Sequence, residues 1–136
     1  MKHSLLGALV ALLCVSCSPV ADTNAAKEGV AEFHRAMDAG QHGAIYDASG
    51  EDLKSAIARD DFVAMLEGLR SKFGPYKSGK TVGWHDNVGT AGHYVSLNHE
   101  AQFQAGPGNE EFVFRMEKGK PVLAGYHVKS NLLATR

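Results

Sequence analysis

At Pro75 the spacing of apolar residues changes from about 3.6 to about 2, and this limits the chain to folds in which helices come first and a sheet follows. Upstream, Ala26, Val30, Phe33 and Met37 recur in steps of four, three and four, and Phe62, Leu66, Leu69 and Phe73 repeat the same spacing. Each set places its side chains on one stripe of a helix. Gly40 follows the first stripe as a left-handed cap, and Gly74-Pro75 stops the last. Between them the pattern predicts a shorter helical piece over residues 44–57, broken at Ser49-Gly50. Ser49 is expected to cap its second half with Asp52 in the reciprocal position, and Asp60 to cap the helix that carries Phe62.

Downstream of Pro75, four strands are expected over residues 76–86, 93–104, 110–117 and 121–129, with turns at "NVGTAG", "GPGN" and "EKGK". The second strand alternates cleanly: Val95, Leu97, Ala101 and Phe103 lie on one face, and Tyr94, Ser96, Asn98, Glu100, Gln102 and Gln104 on the other. One face is buried and the other solvated. Keeping apolar residues together sets Phe103 opposite Phe112, Ala101 opposite Phe114 and His99 opposite Met116, with Val82 and Trp84 joining this face from the first strand. For the last strand, a three-residue Glu117-Lys118-Gly119 turn buries Val122, Ala124, Tyr126 and Val128, whereas a two-residue Lys118-Gly119 turn buries Leu123 and His127. The first alternative buries more and is preferred.

Helices followed by a four-stranded antiparallel meander make an α+β domain in which the helical stripes cover the apolar face of the sheet. The chain has 136 residues, enough for one such domain.

The N-terminus has a different character. Met1-Lys2-His3-Ser4 precede an apolar run from Leu5 to Leu13 that is too short to cross a bilayer as a helix and fits a secretory signal. The stretch Leu13-Cys14-Val15-Ser16-Cys17 resembles a bacterial lipobox, with small Ser16 before the cysteine that is lipidated. Cys14 stands where that pattern usually has leucine, and Leu13 is too bulky to precede a modified Cys14. The resemblance implies a signal peptide over residues 1–16, a lipidated Cys17, a tether over residues 17–24 and a domain over residues 25–136. In a Gram-negative host, Ser18 after the cysteine implies sorting to the outer membrane, facing the periplasm. A plain secretory signal cleaved nearby is the alternative. A redox role for the Cys-x-x-Cys pair would need the motif at a strand-to-helix junction in a packed domain, and here it lies in the targeting segment.

Charge narrows the partners. Without Lys2 the chain keeps 14 − 1 = 13 basic residues against 15 acidic ones, and neither sign forms a run. Nucleic acid is therefore not an expected partner; the membrane is met through the lipid.

The element order and the stretches "AAKEGVAEFHRAMDAG" and "VLAGYHV" resemble the cystatin-like, nuclear transport factor 2-like superfamily, and more narrowly bacterial lipoproteins of unknown function with that fold. The resemblance covers residues 25–130 and implies a curved sheet closed into a cone around a pocket. Ketosteroid isomerases and polyketide cyclases of that superfamily use the pocket for catalysis; other members bind ligands or dimerise.

Chemistry-bearing residues are few. No metal-ligand spacing stands out among the histidines and no cofactor is expected. His34 flanks the first stripe as an edge-of-core residue, while His42 and His85 are expected to be exposed. His99 sits within an apolar strand face, where its ring nitrogens need partners or a cavity. With Tyr46, Trp84, His93 and Tyr126 it forms the candidate pocket. Glu100, Glu110, Glu111 and Glu117 are expected to face out or to end strands, and Asp86 to lie at a turn, which leaves Asp47 as the weak candidate for a catalytic acid. The expectation is a small-ligand-binding or protein-interaction module, for an apolar ligand or an envelope protein, with homodimerisation through the sheet face around Tyr94, Asn98, Val113 and Arg115 as one form of the latter. An isomerase or cyclase is the alternative.

Overall fold

A computed structural model describes residues 19–134; the signal and lipidation assignments, Cys17 included, lie outside them. Four helices, α1 (Pro19–Asp38), α2 (His42–Ala48), α3 (Glu51–Ala56) and α4 (Arg59–Phe73), precede four strands, β1 (Tyr76–Gly89), β2 (Gly92–Phe103), β3 (Pro107–Glu117) and β4 (Lys120–Lys129). A short 3-10 turn over Asn131–Leu133 follows. The strands form one antiparallel meander in the order β1-β2-β3-β4, so the protein is an α+β domain of helices on a four-stranded sheet. Among the described residues no helix is long and apolar enough to cross a membrane.

Both helical stripes enter the core. Ala26, Val30, Phe33 and Met37 of α1 and Phe62, Leu66, Leu69 and Phe73 of α4 are all buried. They meet Val95, Leu97, Ala101 and Phe103 of β2 and Phe112, Phe114 and Met116 of β3. The helix α1 begins at Pro19, within the stretch expected to be a tether, and already buries Asp22 and Thr23 there.

The helix starts differ from the expected caps. Ser49 Oγ donates to the Ile45 carbonyl at 2.7 Å, and α3 starts after Gly50 without a side-chain cap. The junction is held instead by the Gly50 N–H, which donates to the Leu123 carbonyl of β4 at 2.9 Å. Asp60 lies inside the first turn of α4, whose N-cap is Ala58; there it acts on the helix dipole through its charge rather than through a hydrogen bond.

The hairpin between β2 and β3 shifts the expected register. The turn is Gln104-Ala105-Gly106, tighter and earlier than "GPGN", and β3 starts at Pro107. Leu97 therefore faces Phe112, Val95 faces Phe114 and His99 faces Glu110. The slip is an even number of residues, so the expected side chains stay inside while every partner changes.

For β4 each alternative reading is half right. Lys118 and Gly119 form a two-residue turn, both with positive φ (53° and 77°), as tight hairpins with the twist of a sheet require. Leu123 consequently faces Phe114. A bulge then takes up Ala124, restoring the other phase so that Tyr126 faces Phe112 and Val128 faces Glu110, while His127 is exposed. Val122 and Ala124 are not core residues.

The inner face is covered unevenly. Trp84 pairs with Leu97 and shares its face, yet it is 54% exposed, and Val82, at a register shift, is exposed as well. The expectation that these two join the core fails because no helix covers β1 at these two positions. Phe112→Ala should thus cost about 3–5 kcal/mol and Trp84→Ala no more than about 1 kcal/mol, as read by urea denaturation; equal losses would mean that Trp84 is packed in solution.

Candidate functional site

Strand parity places a carboxylate in the core. Glu110 is in phase with Phe112, Phe114 and Met116 and is only 2% exposed. A buried carboxylate needs partners, because taking its charge out of water is expensive. His34, one helical step of four beyond Val30 and 4% exposed, supplies them: its Nε2 lies 2.9 and 3.0 Å from the two Glu110 oxygens.

Around this pair the neighbours follow in order. The Tyr76 ring stacks on His34 with centroids 3.7 Å apart and planes 7° from parallel. The Tyr76 hydroxyl is 2.9 Å from Nε2 of His99, which pairs with Glu110 across the β2–β3 ladder. Gly79 makes this contact possible, since a Cβ there would stand 2.7 Å from the Glu100 carbonyl oxygen and closer still to His99 and to the Tyr76 hydroxyl. His34 Nδ1 and His99 Nδ1 are buried without a hydrogen-bond partner among the described residues.

The electrostatics follow from burial and from Glu110. Burial, and then the negative charge of Glu110, raise the Tyr76 and Tyr126 phenols above their ordinary values, Tyr126 strongly. Burial lowers His99; Glu110 opposes that shift and His34 adds to it. The network borders a cleft of about 390 Å³ between α1 and β1, lined among others by Lys27, Asp38, Tyr76, Lys80, Thr81 and His99. A larger groove of about 530 Å³ lies between α1, α2 and β4, with Phe33, Ile45, Phe114 and Leu123 in its wall.

The expected pocket residues divide into separate groups. His99 and Tyr126 share Glu110 and Phe112 as neighbours. Tyr46 instead donates to the Ile57 carbonyl at 2.9 Å, fastening the end of α3, and Trp84 faces solvent. His93 Nε2 bonds Asp86 Oδ1 at 2.6 Å and lies 3.8 Å from Asp22 Oδ2. Asp86 lies within β1 rather than at a turn. Asp47 is exposed and held by Arg59 at 2.9 and 3.2 Å, so the hydrogen bond and charge of Arg59 keep its carboxyl below the usual range and away from acid–base work.

His42 is buried, against expectation, and His85 is exposed. The outer-face residues Tyr94 and Arg115 pair with each other and both reach Asp52 of α3, at 3.3 and 3.4 Å. A β3 that begins at Glu110 makes that residue a strand end and hides its link to His34 and Tyr76. Extending the Phe112–Phe114–Met116 alternation two residues back turns Glu110 inward.

The lowered His99 has a pH signature. An unfolded histidine titrates near 6.5, so as the pH falls through that value the unfolded chain takes up a proton that folded His99 resists, and stability drops with it. Urea midpoints should fall between pH 7.5 and 5.5, and His99→Gln should flatten that fall; an unchanged slope would assign the pH dependence to another group.

The family model described as a protein of unknown function (DUF4019) matches residues 30–126, a span that takes in His34, Tyr76, His99, Glu110 and Tyr126. No curated protein matches the chain significantly. With most of its length inside that match, the chain belongs to the DUF4019 family of proteins of unknown function.

Proposed function

We propose that this protein is a lipid-anchored binding module of the bacterial envelope, facing the periplasm from the outer membrane through Cys17. Its ligand is a small molecule seated in the cleft between α1 and β1. The observation that carries this reading is the pair of buried, unpartnered Nδ1 atoms on His34 and His99, two residues that line that cleft. Leaving such an atom unpaired costs about 1–3 kcal/mol, so the two rings keep hydrogen-bonding capacity that the fold does not use. The flat Tyr76 and His34 rings, already stacked, favour a planar ligand. A curved, cone-like sheet of the nuclear transport factor 2 kind is consistent with this reading.

A second reading rests on the His34–Glu110 pair. A carboxylate on Nε2 orients the imidazole and leaves Nδ1 to accept a proton, which is the arrangement of an oriented general base. On that reading the module is an isomerase- or cyclase-like enzyme.

Native mass spectrometry of the protein purified gently from the envelope tests the first reading. It predicts an additional small-molecule mass that is lost on denaturation, retained in Trp84→Ala and diminished in Tyr76→Phe and His99→Gln. A clean apo mass, or a ligand displaced only by changes at Phe33 or Leu123, would overturn it. The second reading predicts in addition that Glu110→Gln keeps the ligand but releases it chemically unchanged, where the wild type converts it.

A further inference from the structure

Asp22, Asp86 and His93 come together from α1, β1 and β2, outside the His34–Glu110 network. One ligand atom from each lies within 4.8 Å of the others. Asp86 and His93 meet across the β1–β2 hairpin, and the first turn of α1 brings Asp22 over them.

The charges in this cluster do not balance. Asp22 is 6% exposed, and His93 Nε2 stands 3.8 Å from its Oδ2, beyond hydrogen-bond reach. The single Nε2 hydrogen is directed to Asp86 at 2.6 Å. No described lysine or arginine pairs with either aspartate. Even a fully charged imidazolium therefore neutralises only one of two largely buried carboxylates. A divalent cation with a neutral imidazole and two carboxylates removes the imbalance completely.

We propose that Asp22, Asp86 and His93 form a binding site for a divalent transition cation, with Zn²⁺ the best-matched ion. One imidazole and two carboxylate oxygens are a mixed donor set that suits borderline ions, whereas Ca²⁺ and Mg²⁺ prefer oxygen alone. Metal–ligand bonds of about 2.0–2.2 Å put neighbouring donor atoms about 3–3.5 Å apart. The 2.6 and 3.8 Å separations bracket that value, so each closes or opens by less than about 1 Å. The Asp86 and His93 side chains are partly exposed, which leaves room for water or a ligand on the open side. The bound ion clamps the start of α1 to the β1–β2 hairpin. Sequence spacing hides the site, because Asp22 lies far from the other two along the chain.

Protein stripped with a chelator and titrated with Zn²⁺ against a chromophoric competitor at pH 7.5 should bind one equivalent and melt at a higher temperature. Ca²⁺ at the same concentrations should leave the melting temperature unchanged. His93→Gln, Asp86→Asn and Asp22→Asn should each weaken binding about 10-fold or more, while His127→Ala, at an exposed position away from the cluster, should not. Absence of stoichiometric Zn²⁺ binding by the wild type would overturn the proposal whatever the variants do, and so would binding that survives all three substitutions in folded protein.

Discussion

A carboxylate in the core, Glu110 of β3, must meet an imidazole from α1, and much of the remaining structure follows from that requirement. The Glu110–His34 pair ties the first helix to the middle of the sheet. Forming a buried polar pair brings little net stability, since desolvation consumes most of the gain, but losing one partner costs about 3–5 kcal/mol. Its effect is therefore one of specification. Only the register that sets Glu110 opposite His99 lets the three polar residues share one site, and only the observed placement of α1 brings His34 over it. Tyr76 completes the set by stacking on one histidine and bonding the other.

The sheet is covered from β4 toward β1, and the cover thins at the first strand. Over β2 and β3 the helices seal Val95, Leu97, Phe112 and Phe114 from water. At Trp84 and Val88 no helix covers β1, so both stay exposed although their cross-strand partners Leu97 and His93 turn the same way. Both candidate sites lie along this thinning border: the cleft beside Tyr76 and Gly79 near one end of β1, and the Asp86–His93 cluster toward the hairpin at the other. Binding sites placed where packing stops require no cavity to be opened in the core, which suits a domain of this size.

The periodicities at 3.6 and 2 made the architecture readable, because they report which face of each element is buried, and burial is a property of one element at a time. Both helical stripes and the inward phase of β2 were legible for that reason. What depends on two elements was not. The register between β2 and β3 turned on where a hairpin closed, and the inner face of β4 turned on a bulge at Ala124 that changes phase within the strand. The site suffered most, since Glu110 read as a strand end and His34 as a flanking residue until β3 was seen to start at Pro107. Trp84 misled in the opposite sense: an aromatic side chain is a good guide to burial only when a neighbouring element arrives to cover it.

The dependence of fold and site on one buried pair is tested most directly by a double-mutant cycle on His34→Ala and Glu110→Ala, read by denaturant unfolding at neutral pH. A coupling energy of about 3 kcal/mol or more is predicted, with each single change destabilising the protein nearly as much as the double, because either leaves its partner buried and unmatched. Additivity within about 0.5 kcal/mol would contradict the account, showing that the two side chains reach water separately and that the polar network is not built around them.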